Sequence, residues 1–163
     1  MSKVESIVLG GGCFWCTETV FKQLRGVIEV VPGYAGGERA NPTYEQVCGG
    51  DTGHAEVIKI DYDSGQISID DLLSVFFSVH DPTTLNRQGH DMGTQYRSII
   101  FFNTSEQEMA AKNKIGELES EKVYNDPIVT EIKPLDKFYE AEDYHHDYFA
   151  KNPDQTYCQL IIK

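Results

Sequence analysis

The sequence is poor in basic residues: 14 Lys and Arg stand against 26 Asp and Glu in 163 residues, a formal net charge of −12 with His neutral. Because such a surface repels phosphates, the composition argues against nucleic acid and anionic membranes as partners. No apolar stretch approaches the roughly 18 residues of a membrane span. The first residues lack the apolar core of a signal peptide. We therefore expect a cytoplasmic protein.

Internal repeats, low-complexity tracts and linker-like segments are also lacking, which favours one domain over residues 1–163. A domain of this size buries about 70% of the surface that its unfolded chain exposes, so it needs no disulfides for stability. Cysteine is sparse, with four residues: Cys13, Cys16, Cys48 and Cys158. In a reducing compartment such thiols are more often catalytic or metal-binding than structural.

The pattern of apolar and turn residues predicts alternating strands and helices. Predicted strands lie at 6–9, 27–31, 55–62, 96–102 and 128–132, and predicted helices at 13–24, 69–80, 105–119 and 141–150. Ser68 with Asp71, and Ser105 with Glu108, predict helix starts, and Pro32 predicts a turn after the second strand. The first six elements follow the order β-α-β-β-α-β, that of the split β-α-β plait. We expect an α+β fold: a two-layer, ferredoxin-like αβ plait with long active-site loops and a C-terminal tail.

Glycine is unevenly distributed, and 11 of the 14 glycines fall in 10–12, 32–54 or 81–95. Long irregular segments in a compact domain are usually functional or disordered. The two longer segments are rich in Tyr, His and Cys, which favours function. A site would require both of them, the start of the first helix and the tail to gather at one end of the fold.

Cys13 follows three glycines and begins the first predicted helix. Unpaired backbone N–H groups at a helix start carry partial positive charge, which lowers the pKa of a thiol and favours the nucleophilic thiolate. Phe14 and Trp15 could form a small apolar pocket beside the sulfur. The structural alternative is a buried cysteine at a tight turn with two core aromatics.

Cys13 and Cys16 form a Cys-x-x-Cys pair, whose spacing on one helix face suggests redox chemistry in a cytosolic protein. Zinc binding is the competing interpretation, but zinc usually requires four Cys or His ligands. The sequence offers only the adjacent His145 and His146 and the isolated Cys48 as further ligands.

Four motifs resemble those of the A-type peptide methionine sulfoxide reductases. They are GCFW at 12–15, NPTYEQVC at 41–48, TGHAE at 52–56 and DMGTQYRS at 91–98. The resemblance covers nearly the whole chain in the family's order and spacing. It implies reduction of methionine S-sulfoxide, free or in proteins, with thioredoxin as the external reductant and with no cofactor or metal.

The resemblance also implies the role of each site residue. The sulfoxide sulfur is attacked by a thiolate, the departing oxygen takes a proton, and the cysteine becomes a sulfenic acid. The implied residues are the nucleophile Cys13, the proton donors Glu56, Tyr44 and Tyr96, the methyl pocket of Phe14 and Trp15, and the substrate-positioning Asp91.

Glu56 has some support from the residues themselves. Strand alternation places it on one face with Ile58, Ile60 and Tyr62, at the end of an otherwise apolar surface. Desolvation there would raise the pKa of the carboxyl and keep it protonated, as a general acid requires. The alternative is a strand-end carboxylate that reaches water.

A second thiol must clear the sulfenic acid by forming a disulfide. Cys158 lies in NPDQTYC at 152–158, which resembles the family's C-terminal resolving segment but lacks its glycine. Cys16 is the rival, although an i,i+3 pair within a helix must distort to reach disulfide geometry. We favour Cys158, both could act in sequence, and Cys48 is interpreted as an ordinary buried thiol.

Two other functions compete with sulfoxide reduction. A general thiol–disulfide oxidoreductase could use the Cys13/Cys16 pair, but it would leave the motifs around Tyr44, Glu56 and Asp91 unexplained. A non-catalytic redox sensor or binding module is the third hypothesis.

Overall fold

The structure, a computed structural model, describes residues 4–12, 14–37, 41–48, 52–88 and 91–141, and at 16, 48 and 91 it describes the backbone alone. The strands are β1 (Val4–Gly10), β2 (Val27–Ala35), β3 (Ala55–Asp63), β4 (Arg87–Gln88), β5 (Asp91–Met92), β6 (Ile99–Phe102), β7 (Glu131–Pro134) and β8 (Phe138–Glu140). The helices are α1 (Phe14–Lys22), α2 (Tyr44–Cys48), α3 (Ile69–Ser78) and α4 (Ser105–Ser120), with a 3₁₀ turn at Thr94–Tyr96.

Six strands form one sheet in the order β7-β6-β1-β3-β2-β8, which makes the fold mixed α+β. Neighbours are antiparallel except β6 and β7, which run parallel. The short strands β4 and β5 pair separately as a hairpin. Among the described helices, none combines the length and apolar character needed to cross a membrane.

The two faces of the sheet bury different clusters of side chains. One face packs under α1, α3 and α4, whose buried residues include Phe14, Phe21, Phe76 and Ala111. The opposite face carries a smaller cluster from β1, β2, β3 and β6, and the segment with Leu135 and Phe138 packs against it. Alternation along β3 therefore sends successive side chains into different cores.

Several predicted elements are confirmed. The strands predicted at 6–9 and 55–62 match β1 and β3, and the first three predicted helices match α1, α3 and α4. The Ser68 hydroxyl accepts a hydrogen bond from the Asp71 N–H at the start of α3, as its cap motif predicts. The cap of α4 lies one residue before the predicted Ser105, because the Thr104 hydroxyl accepts from the Gln107 N–H. The predicted tail helix at 141–150 lies outside the described residues, except for residue 141.

Other predicted boundaries are wrong because strand pairing overrides the local signals. Pro32 does not end β2, which continues to Ala35, since its pairing with β3 runs through Pro32 to the end of the strand. The Pro32 carbonyl also accepts from the N–H of Ala141. The fourth predicted strand begins only at Ile99, after the 3₁₀ turn, and the strand predicted at 128–132 is β7, which begins at Glu131.

Candidate active site

The turn that precedes Cys13 connects β1 to α1 at one end of the sheet. Gly12 adopts φ +91°, in the left-handed region that favours glycine. Cys13 itself lies outside the described residues, and α1 begins at Phe14. Gly12 and Phe14, the residues on either side of Cys13, are both described. The surroundings of the helix start are therefore known.

Glu56 reaches the start of α1 from the neighbouring strand β3. Its side chain is 1% exposed, and Oε1 accepts a hydrogen bond from the backbone N–H of Phe14 at 3.2 Å. The expected face is confirmed, since Ile58, Ile60 and Tyr62 belong to the core beneath the helices. The alternative, a strand-end carboxylate that reaches water, does not agree with this burial. A carboxyl group shielded from solvent thus lies beside the helix start that follows Cys13.

Four aromatic rings surround this helix start. Phe14 is fully buried, and its ring centroid lies 6.2 Å from that of Trp15, 5.7 Å from Tyr34 and 6.1 Å from Tyr44. Trp15 and Tyr44 also stack, with centroids 5.7 Å apart. The structure therefore brings together Phe14, Trp15 and Tyr44, which the sequence places in two separate motifs.

Tyr34 is a member of this group that the sequence analysis missed. It lies directly opposite Glu56 in the β2–β3 register and is fully buried. The sequence predicts that this strand ends at Pro32, which places Tyr34 in a loop. Continuing the alternation of β2 past Pro32 would have revealed it.

Tyr96 is half-buried at the end of the 3₁₀ turn. The next residue, Arg97, donates through its guanidinium to the carbonyls of Thr94 at 2.8 Å and Gly53 at 3.0 Å, and to the Glu131 carboxylate at 3.0 Å. Because Gly53 lies just before β3, Arg97 ties the segment carrying Tyr96 to the strand that carries Glu56. The sequence patterns alone indicate no role for Arg97.

The hairpin of β4 and β5 brings Asp91 towards the turn before Cys13. Asp91 pairs with Gln88 across the hairpin, and only its backbone is described. A Cβ atom at Gly12 would lie 3.0 Å from the Cβ of Gln88, so the hairpin packs directly against this turn. Gln88 is buried and accepts from the Asp81 N–H at 2.8 Å, which anchors the start of its loop.

The distances from Cys13 to its two candidate resolving cysteines are not part of this geometry. Cys158 lies outside the described residues, as does Cys13, and the side chain of Cys16 in α1 is not described. The same holds for Cys48 at the end of α2. Across the described part of the chain, no three side chains of His, Cys, Asp or Glu are grouped to hold a metal ion.

Comparison with known proteins gives a consistent result. A family model described as "Peptide methionine sulfoxide reductase" matches residues 5–163. The "Peptide methionine sulfoxide reductase MsrA" of Nautilia profundicola is 59% identical over 155 residues, which are 95% of this chain and 88% of that protein.

Solved structures show the same fold. Mxr1 from Saccharomyces cerevisiae in reduced form is 38% identical, with a TM-score of 0.87 over 93% of this chain and 87% of that chain. Mxr1 in complex with Trx2 matches at 26% identity and a TM-score of 0.64, over 88% and 85% of the two chains. These similarities do not favour the general thiol–disulfide oxidoreductase suggested by the Cys13/Cys16 spacing.

Proposed function

The chain belongs to the family of peptide methionine sulfoxide reductases, and we propose that Cys13 performs its thiol-dependent reduction of methionine S-sulfoxide, free or in proteins. One observation carries this assignment of roles: the shielded Glu56 carboxyl accepts from the N–H of Phe14, the residue next to Cys13. The proposal thus assigns nucleophile and acid to one helix start, although 43 positions separate Cys13 from Glu56 in the sequence (56 − 13).

The reductive step has a simple balance of atoms. The Cys13 thiolate attacks the sulfoxide sulfur while the sulfoxide oxygen takes one proton. The bond between that sulfur and oxygen then breaks as the hydroxyl passes to the Cys13 sulfur, which leaves a cysteine sulfenic acid and free methionine. Glu56 supplies the proton, with Tyr44 and Tyr96 donating hydrogen bonds to the oxygen. Burial of Glu56 suits this role, because an apolar environment opposes ionisation of a carboxyl group.

The aromatic rings suit the methyl group that methionine sulfoxide carries on its sulfur. Phe14 and Trp15 are the first two residues of α1, and Tyr44 stacks on both of them. We assign the methyl group of methionine sulfoxide to the apolar surface of Phe14 and Trp15. Asp91 orients the substrate by hydrogen bonding, a role supported by the packing of its hairpin against Gly12.

A second thiol completes the cycle. Its attack on the sulfenic sulfur expels water and forms a disulfide, which a dithiol reductant opens by exchange. We favour Cys158 as this thiol, with Cys16 as the rival. The complex of yeast Mxr1 with Trx2 supports thioredoxin as the reductant here. The reaction needs no cofactor or metal, since both electrons come from thiols.

Location and architecture follow as further proposals. The chain acts in the cytoplasm, where thiols are kept reduced as this cycle requires. Residues 1–163 form one reductase domain, a proposal supported by the family match over nearly the whole chain. The four central strands correspond to a ferredoxin-like plait, supported by their order β6-β1-β3-β2 with antiparallel neighbours.

Thiol counting in the absence of external reductant tests the proposal. Reduced protein is incubated with each epimer of methionine sulfoxide, and both remaining thiols and methionine are measured. We expect two thiols lost for each methionine released, with the S epimer only. No turnover even after dithiothreitol is added would contradict the proposal.

The same assay separates the two resolving candidates. The Cys158→Ser variant should stop after one thiol is oxidised and accumulate a sulfenic acid that reacts with dimedone. Cys16→Ser serves as its matched control and should still form the disulfide. The opposite pattern would assign the resolving role to Cys16.

A further inference from the structure

His80 has the contacts of a neutral, fixed ring rather than a proton donor. Its Nδ1 lies 2.6 Å from the Phe76 carbonyl, and because a carbonyl only accepts, Nδ1 carries the proton. Nε2 then accepts from the Ser98 hydroxyl at 2.7 Å. Desolvation by burial lowers the pKa of His80 to about 4, against smaller opposing effects of the Phe76 carbonyl and Asp81. The ring is therefore uncharged near neutral pH.

One face of this ring lies against the turn that leads to Cys13. A Cβ atom added to Gly11 would be 2.9 Å from both Cγ and Cδ2 of His80, so the Gly11 backbone rests directly on the imidazole. The Phe76 ring supports His80, with centroids 4.2 Å apart. The position of the turn therefore depends on where the imidazole is held.

The far edge of the ring is bonded to the segment that carries Tyr96. Ser98 lies two residues after Tyr96 and is 2% exposed. Its Oγ also lies 2.7 Å from the hydroxyl of Thr130. Since Ser98 donates to Nε2, Thr130 donates to Ser98, and the chain of hydrogen bonds has a single direction.

We propose that His80 is a positioning residue, which sets the distance between the turn before Cys13 and the segment that holds Tyr96. This inference rests on the proposed function, in which Cys13 and Tyr96 act on one sulfoxide. His80 touches neither substrate nor reacting atoms. A small misalignment of nucleophile and donor slows reaction without weakening binding, so His80 acts on kcat rather than KM.

Two substitutions at His80 distinguish the hydrogen bond made by Nδ1 from the one made by Nε2. His80→Asn keeps a donor near the Phe76 carbonyl but cannot reach Ser98, whereas His80→Gln extends an amide to the position of Nε2. Tyr124→Phe is the matched control, because it removes the 2.6 Å hydrogen bond to the Phe77 carbonyl at the same end of α3 and leaves both hydrogen bonds of the His80 ring in place.

The measurements are kcat and KM for methionine S-sulfoxide, thermal unfolding, and the rate at which iodoacetamide alkylates the Cys13 peptide. We expect His80→Asn to lower kcat about tenfold with KM changed less than about twofold, and to slow the alkylation. His80→Gln should recover part of the loss. Ser98→Ala should reproduce the effect of His80→Asn, and combining them should add little.

Three results would overturn the proposal. The first is a wild-type kcat and alkylation rate in His80→Asn. The second is a loss of kcat in Tyr124→Phe equal to that in His80→Asn. The third is a double variant in which the kcat losses of His80→Asn and Ser98→Ala multiply. A wild-type chain without sulfoxide reductase activity would instead contradict the proposed function. In that case the alkylation rates still decide whether His80 positions Cys13.

Discussion

Both faces of the six-stranded sheet bury a cluster of apolar side chains, but only one of the two clusters has a buried carboxyl group from β3 at its end. Beneath α1, the face carrying Ile58 and Ile60 ends in Glu56, beside the start of the helix. On the opposite face, the buried cluster with Val8 and Val57 consists of apolar side chains among the described residues. Under the proposed roles, alternation along β3 thus puts the reactive carboxyl on one face, called here the reactive face, and a buried apolar cluster on the other. The comparison predicts that rate and stability respond to different faces.

Glu56→Gln gives the largest expected effect. The amide keeps an acceptor for the Phe14 N–H but cannot donate an acid proton, so kcat at neutral pH should fall by at least about 100-fold. Thermal unfolding should change little. The matched control is Glu18→Gln, because Glu18 is also 1% exposed but pairs with Lys22 at 3.7 Å. Equal kcat values for Glu56→Gln and the wild type would remove Glu56 from the acid role.

The reactive face should also be the one that responds to acid. The pKa of His80 is about 4 in the folded protein and 6.5 ordinarily, so the unfolded chain binds the extra proton first. Its contribution, roughly 3 kcal/mol, is present above pH 6.5 and is lost as the pH falls through 4. Urea unfolding across this range should show a steeper loss for the wild type than for His80→Asn. Parallel curves would contradict the assignment of a neutral ring.

Val8→Ala tests the opposite face. Val8 is fully buried in the second cluster, and removing its two methyl groups should lower the free energy of unfolding by about 2 kcal/mol. The value of kcat should stay at the wild-type level. Chemical denaturation and steady-state kinetics on the same preparation check both expectations. A large loss of kcat would show that the two faces are not independent.

Tyr62→Phe gives the smallest expected effect. It tests whether the reactive region is confined to the end of the β3 face at which Glu56 lies. The Tyr62 hydroxyl accepts from Gln107 Nε2 at 3.1 Å, and its burial raises the pKa of the phenol. Loss of this hydrogen bond should cost about 1 kcal/mol of stability and leave kcat unchanged. Thermal unfolding measures the loss of stability, and steady-state kinetics measures kcat. A change in kcat would extend the reactive region along β3.

The sequence predicts best what depends on local signals. The cap of α3 follows from the short-range pattern of Ser68 and Asp71, and the face of Glu56 follows from simple alternation in a long apolar strand. Both signals lie within a few residues, so no knowledge of the partner strand is required.

Contacts between distant segments were not predictable in this way. Tyr34 reaches the site because β2 continues past Pro32, and that continuation depends on β3. The hydrogen bond of His80 to Ser98 spans 18 positions, and that of Arg97 to Gly53 spans 44. Neither has a periodic pattern, so only the folded arrangement reveals it. The motif resemblance selected Tyr44 and Trp15, whose stacking the structure then shows.

Cys13 is proposed to take the oxygen from the sulfoxide, and one measurement tests this role most directly. In a chain carrying Cys16→Ser, Cys48→Ser and Cys158→Ser, a single turnover with methionine S-sulfoxide is trapped with dimedone and analysed by peptide mass spectrometry. We predict one dimedone adduct on the Cys13 peptide for each methionine formed. Methionine released without that adduct, or no methionine at all, would contradict the claim.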